Sequence, residues 1–373
     1  MVYAMRREGI RWACRLALCA CALPACRAAT FAELARQAAA ARDADQVPQA
    51  IDLYQQALQL DPKWSEGWFY LGTLYYDSDR YADAQPAFVQ FVKLADKAAG
   101  WAFLGLCEFE TGSYTLAREH LEKALRGGVA PEIEPAVRFH QALLLTRLGL
   151  FAQAAHGYET LVRRGIHDST FISGLGLNSL NKAVLPNQIP PDQRDFITAV
   201  GDTAYVWMSE ADSAAGEHTR TAAAFHALLA TYPAAPGVHY FYATYLLTVQ
   251  PDAAQQELRR ELEVDPHSVE ARAMLAVLLL QAGQTAEASA HAKLAAEEGP
   301  ASPLAQYAYG LTLADPADAA AHLEIAEGID PYNFEYHVAL AHVYARSGRN
   351  EEARRERKIS IQLARQSDLH GPN

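Results

Sequence analysis

Trp68-Phe-Tyr-Leu71-Gly72-Thr-Leu-Tyr75 is followed by Tyr81-Ala-Asp-Ala84 and then by Phe88. The same frame returns at Trp101-Ala-Phe-Leu104-Gly105, with Gly112, Tyr114, Ala117 and Ala124 at matching offsets. Upstream, Ala50, Tyr54, Ala57 and Pro62 hold the second-helix and closing-proline places of an earlier copy. Downstream, Leu275-Ala276, Gly283, Ala288, Ala292, Ala295 and Pro300 make a full copy, and Leu340-Ala341, Tyr344, Gly348 and Ala353 make another. Copies begin near residues 31, 65, 98, 135, 169, 202, 236, 269, 303 and 334, at spacings of 34, 33, 37, 34, 33, 34, 33, 34 and 31. A single match to such a frame is weak evidence; a register held along the chain is strong.

The pattern of Trp, Leu-Gly, Tyr, Ala and Phe at these offsets resembles the tetratricopeptide repeat family. The resemblance covers the chain from residue 30 onward, with copies 1, 4 and 6 degenerate and copy 5 fitting by spacing alone. It implies an all-α fold, a right-handed superhelical solenoid of about ten helix-turn-helix units. Each unit has two antiparallel helices that cannot bury an apolar stripe alone, so stacking creates one continuous core. Small residues such as Gly72, Ala84, Gly105 and Ala288 suit close helix crossings, and Tyr54, Phe88 and Leu121 fill the gaps. Prolines 62, 233, 266, 300 and 331 stop one helix and open the next. Abundant alanine with sparse Val and Ile agrees with helix over sheet.

Two places break the frame. Val184-Leu-Pro186-Asn-Gln-Ile-Pro190-Pro191 interrupts the second helix of copy 5, because a helix cannot run through those prolines. A loop and then a helix from about Asp192 is expected, as a structural kink or as a lid over a binding site. At the far end, Glu351-Glu-Ala-Arg-Arg-Glu-Arg-Lys358 suits a solvated capping helix ending near Arg365, with 366–373 as a frayed tail. The expected divisions are 1–29 as leader, 30–168 as N-terminal repeats, 169–201 as the divergent repeat and 202–365 as C-terminal repeats with cap.

The leader reads as an export signal. Arg6, Arg7, Arg11 and Arg15 form a basic stretch before the apolar run Leu16–Leu23, and small residues follow. That run is far below the ~20 residues of a spanning helix. Cys26-Arg-Ala28 fits cleavage that releases a soluble chain from about Ala29. Leu23-Pro-Ala-Cys26 resembles a bacterial lipoprotein box that would lipidate Cys26, although Pro24 departs from its pattern. The expected location is the periplasm or cell envelope, with lipid anchoring through Cys26 as the alternative. Four of the five cysteines (14, 19, 21 and 26) lie in the leader, so Cys107 alone remains and no internal disulfide can form.

The whole chain carries 32 basic and 44 acidic residues, a net charge of −12. Without the leader's five Arg and one Glu, 27 basic and 43 acidic residues leave −16. Nucleic acid is excluded as a partner class, because phosphate binding needs a basic face. There is no HExxH, P-loop, EF-hand loop or G-x-S-x-G motif and no Cys/His cluster at metal spacing, so no catalytic residue, metal or cofactor is expected. Gly174-Leu-Gly176 has no preceding strand and reads as close helix packing; Cys107 reads as core.

What remains is a binding surface. In the family, the concave wall is lined by the second, fifth, ninth, twelfth and thirteenth positions of first helices. The resemblance places there Phe69, Thr73, Tyr76 and Asp77; Leu106, Phe109 and Glu110; Phe139, Leu143 and Arg147; Leu177, Leu180 and Asn181; Tyr240 and Thr244; and Tyr307 and Leu311. Such a wall suits a partner protein segment with apolar anchors, and the acidic surface suits a partner with a basic patch. The Lys, Asn and Arg set of the family's carboxylate clamp is absent, with only Arg147, Asn181 and Arg346 scattered at such positions. The alternative is a small molecule, glycan or lipid held inside the superhelix, with the Pro186–Pro191 loop as lid. The family resemblance extends to exported repeat scaffolds of Gram-negative-type bacteria.

Overall fold

The computed structural model describes residues 29–210 and 219–369; the leader up to residue 28, including Cys26, lies outside the described residues. Among the described residues nineteen α-helices follow one another and there is no strand. Eighteen of them pair as nine hairpins. In the N-terminal half these are α1 (Phe31–Asp43) with α2 (Val47–Leu60), α3 (Ser65–Tyr76) with α4 (Tyr81–Leu94), α5 (Ala98–Glu110) with α6 (Tyr114–Gly127), and α7 (Glu134–Arg147) with α8 (Phe151–Arg163). Next come α9 (Ser169–Ser179) with α10 (Arg194–Ser209), and then α11 (Thr219–Thr231), which packs on α10 and α12 and, among the described residues, has no hairpin partner of its own. The C-terminal half has α12 (Val238–Val249) with α13 (Pro251–Val264), α14 (Val269–Gln281) with α15 (Thr285–Glu298), α16 (Pro303–Thr312) with α17 (Pro316–Ile329), and α18 (Phe334–Arg346) with α19 (Asn350–Leu369). Second helices pack on the next first helices, with α11 inserted between α10 and α12, which makes the stack a solenoid.

One turn design repeats. The fifteenth residue of six units has positive φ: Asp45, Asp79, Gly112, Gly149, Gly283 and Gly348. The next amide bonds back across the helix end, as in Ser113 N to Glu108 O (2.7 Å), Leu150 N to Leu145 O (2.9 Å) and Arg349 N to Tyr344 O (2.8 Å). This left-handed cap ends the first helix and reverses the chain. Glycine has no Cβ penalty there, and aspartate tolerates the conformation.

The closing prolines do more than stop helices. The residue six positions after each one, at the frame's fourth place, donates a side-chain hydrogen bond to its carbonyl. Trp68 Nε1 bonds Pro62 O at 2.9 Å and Gln306 Nε2 bonds Pro300 O at 3.1 Å. His239 Nε2 faces Pro233 O at 3.1 Å, His337 Nε2 faces Pro331 O at 2.9 Å, and the Arg272 guanidinium bonds Pro266 O. Gln, His and Arg thus replace Trp at this place, because each offers an N–H at the required reach.

The core is a chain of inter-helix contacts. Tyr54, Phe88, Leu121, Tyr158, Phe171, Phe225 and Phe241 are fully buried, each contributing about 1.5–3 kcal/mol. A Cβ at Gly72 would sit 2.8 Å from the Phe88 ring, so glycine lets α3 and α4 close.

The proline interruption delays copy 5's second helix. α9 ends with Asn181 at φ 52 and Lys182 N bonded to Leu177 O (2.9 Å), the same cap as elsewhere. Two short 3-10 turns, Pro186–Gln188 and Pro191–Gln193, then lead into α10 at Arg194. Started late, α10 runs through residue 202 without a break. Among the described residues, the unit expected to begin there therefore contributes one separate helix, α11, which packs on α10 and α12. Leu185 and Ile189 are buried, which anchors the interrupting segment as a kink. Across the superhelix, Gln153 Nε2 on α8 donates to Asp330 Oδ1 at the end of α17 (2.6 Å), joining units far apart in sequence. α19 continues to Leu369, past the expected end at Arg365.

Candidate partner-binding surface

First helices carry an aromatic ladder over three units. Phe69 and Tyr76 of α3 are half-buried and meet Phe103 of α5 edge to face, with ring centroids 5.8 and 5.3 Å apart. Phe69 is braced from α4 by Phe91 at 4.9 Å. One unit on, Phe109 of α5 meets His140 of α7 at 4.8 Å, and His140 lies 5.8 Å from Phe139. Phe139 in turn packs 5.8 Å from Phe171 of α9. Such contacts hold rings in one orientation while leaving part of each surface open. Thr73 is half-buried and donates to Tyr70 O at 3.0 Å, and Asp77 is exposed at the end of α3. Burial, with Cys107 and Glu110 nearby, pushes the Tyr76 phenol up to about 12, so it stays a neutral donor.

Other expected wall residues are spent inside the fold. Leu106 and Leu143 are buried, as are Leu177 and Leu180. Leu106 packs in a cluster with Val137 and Leu144, because α7 stacks over the ninth position of α5. These leucines are core, and the expectation that they line an open wall is corrected. Arg147 Nη1 donates to Ala183 O at 3.3 Å, and Asn181 Nδ2 donates to Tyr240 Oη at 3.0 Å. Both polar side chains therefore pin the segment after α9 instead of standing free. Tyr240 is itself buried.

A second group lies in the C-terminal half. Tyr307 is half-buried, with its ring 5.0 Å from that of Tyr336. Glu270, in the first turn of α14, is half-buried and accepts a hydrogen bond from Ser302 Oγ at 2.7 Å. Burial raises the Glu270 carboxyl. Burial and then Glu335 push Tyr307 up to about 12. Glu270, Tyr336, Phe103 and His140 were not singled out from sequence. Glu270 occupies the second position of copy 8 and was within reach of the positional rule. Phe103, His140 and Tyr336 hold places outside it.

Cys107 is buried in the core. Burial, then the nearby Glu108 and Glu110, pushes the Cys107 thiol up to about 12, which disfavours the thiolate. Among the described residues, no group of three His, Cys, Asp or Glu is placed to hold a metal ion. Nor is any helix there long and apolar enough to cross a membrane.

The tetratricopeptide repeat family matches residues 35–84 and 71–129, and a second family of the same description matches 250–312. No curated protein matches the chain. Among solved structures, MamA from Desulfovibrio magneticus RS-1 is 18% identical, covering 41% of this chain and 89% of its own, with a TM-score of 0.33. Yeast Tom70 is 14% identical, covering 90% and 92%, with a TM-score of 0.33. The Cut9-Hcn1 hetero-tetramer structure of the APC/C is 13% identical, covering 90% and 79%, with a TM-score of 0.37.

Proposed function

Because the chain belongs to the tetratricopeptide repeat family, we propose that it is a non-catalytic scaffold that seats a partner protein segment on its inner wall. The observation that carries this reading is the half-open ladder of Phe69, Phe103, Tyr76, Phe109, His140 and Phe139. Aromatic rings held in place by neighbours lose little entropy on binding, and aromatics dominate interface energetics. A groove with several such anchors suits an extended or helical segment with apolar side chains at intervals. The buried Leu185 and Ile189 weigh against the Pro186–Pro191 segment acting as a lid over a small ligand.

The test combines Phe69→Ala, Tyr76→Ala and Phe109→Ala, after circular dichroism shows an intact fold. Crosslinked affinity capture is then compared with the unaltered chain. Each anchor is worth about 2 kcal/mol, so a partner held by the ladder should be lost by at least about 100-fold. Unchanged recovery of every captured protein would count against the ladder.

We further propose that the chain works outside the cytoplasm. Support comes from the basic and apolar leader and from the single thiol that follows it. The intact mass of the chain from cells decides this. A start at Ala29 or a lipid on Cys26 agrees with export; retention of Met1 argues against it.

A further inference from the structure

The inner-wall group of the C-terminal half holds a carboxylate that no cation of the chain answers. Glu270 is half-buried, and its hydrogen bond comes from a neutral hydroxyl, Ser302. No Lys, Arg or His among the described residues pairs with it. The nearest cation in sequence, Arg272, turns to Glu298 at 3.6 Å and to the Pro266 carbonyl. An unpaired, partly desolvated carboxylate is costly.

The aromatic surroundings are equally one-sided. Tyr240 belongs to the unit before Glu270, Tyr307 to the unit after it, and Tyr336 to the next. Burial raises all three phenols. Glu270 adds to the effect on Tyr240 and Tyr336, and Asp330 and Glu335 add further on Tyr336. No basic side chain opposes these carboxylates at any of the three, whereas Arg349 does so at Tyr344 and Arg260 at Tyr242. The hydroxyls of Tyr307 and Tyr336 hydrogen-bond to no described residue. Tyr307 and Glu270 keep open surface, while Tyr240 and Tyr336 are buried beside them.

We propose that Glu270 and Tyr307, backed by the buried Tyr240 and Tyr336, form the seat for a lysine or arginine side chain of the bound partner segment. A cation there gains a carboxylate partner, aromatic surface and free phenol oxygens as acceptors. It also balances the Glu270 charge, which no cation among the described residues answers. The inference rests on the reading of the inner wall as the partner groove and specifies one side chain of that partner.

The experiment is selection of a phage-displayed library of random dodecapeptides on the immobilised chain, on Glu270→Gln and on Glu297→Gln. Glu297 is exposed and paired with Lys293, so it serves as the control. Peptides enriched on the unaltered chain and on Glu297→Gln should share a Lys or Arg at one fixed position. The synthetic consensus peptide should bind Glu270→Gln at least about 10-fold more weakly. Replacing its basic residue by Gln should cost the same factor on the unaltered chain and nothing on Glu270→Gln, the signature of a direct pair. Glu270→Gln should also melt about 1–3 °C higher, because the desolvated charge is gone. Enriched peptides that lack a basic position, yet are lost on the Phe69, Tyr76 and Phe109 variant, overturn the cation seat and leave the groove standing. A lower melting temperature for Glu270→Gln overturns the seat in favour of a structural role. Peptides indifferent to both sets of substitutions, or no enrichment, overturn the groove and the seat together.

Discussion

Gly201→Ala is expected to destabilise the chain by about 3 kcal/mol, the upper end of overpacking costs. A Cβ at Gly201 of α10 would fall on the carbonyl oxygen of Ile172 in α9. The reciprocal holds for Gly176 of α9, whose added Cβ would fall on the carbonyl oxygen of Ile197. Each glycine thus faces backbone of the partner helix, and backbone cannot rotate away as a side chain can. To admit one methyl group the two helices must separate, and Ile172, Leu175, Ile197 and Val200, all buried between neighbours, would loosen with them. Gly176→Ala should behave alike. Gly328→Ala is the matched control. Gly328 lies within α17, and a Cβ there meets nothing within 4 Å. That change should stabilise by about 0.5–1 kcal/mol through helix propensity. Guanidinium unfolding followed by circular dichroism measures both signs; equal effects at Gly201 and Gly328 would refute the close crossing.

Glu261→Ala is expected to cost about 3–5 kcal/mol, as breaking a buried charged contact does. Glu261 of α13 is fully buried and accepts the backbone amides of Gly237 (2.6 Å), His239 (3.1 Å) and Tyr240 (3.1 Å). These amides open α12 and have no partner within the helix. A carboxylate satisfies them and complements the positive end of the helix dipole. Alanine would strand three donors in a dry site. Glu261→Gln retains an acceptor oxygen without the charge and should cost less than half as much. Glu263→Ala, at an exposed position of the same helix, should stay within about 0.5 kcal/mol. Denaturant midpoints rank the three variants, and a cost at Glu261 no larger than at Glu263 would contradict the capping role. Tyr240, the Asn181 contact and one wall of the proposed cation seat depend on where α12 begins.

Much of the hairpin stack was legible because its requirements are local. Gly72 and Phe88 announce their helix crossing by residue type, and Gly112, Gly149, Gly283 and Gly348 mark turns that need positive φ. The prolines at 186, 190 and 191 marked the interruption, and α10 starts two residues from the expected Asp192. Its continuation through 202 was not legible, because pairing of α10 with α9 is settled by the Gly176–Gly201 crossing, a contact between segments separated by the loop. The wall shows the same divide. Phe69, Thr73, Tyr76 and Asp77 keep the exposure that their positions imply. Leu106, Leu143 and Tyr240 do not, since the stacking of neighbouring helices decides how far each wall position is covered. Arg147 and Asn181 look like free polar arms in sequence, but the kinked segment beside them supplies their partners. The His239 and His337 bonds to proline carbonyls look unlike Trp68 until the shared offset of six residues is seen in space.

The most direct test of the scaffold reading is photocrosslinking in intact cells with a photoreactive residue at Thr73 on α3 or at Gln90 on α4. Thr73 stands between Phe69 and Tyr76 on the wall, and Gln90 is exposed on the second helix of the same hairpin. A discrete crosslinked protein from Thr73, absent from Gln90 and abolished by Phe69→Ala with Tyr76→Ala, is the expected result. Crosslinks of equal yield from both positions, or from Gln90 alone, would contradict the inner wall as the partner's seat.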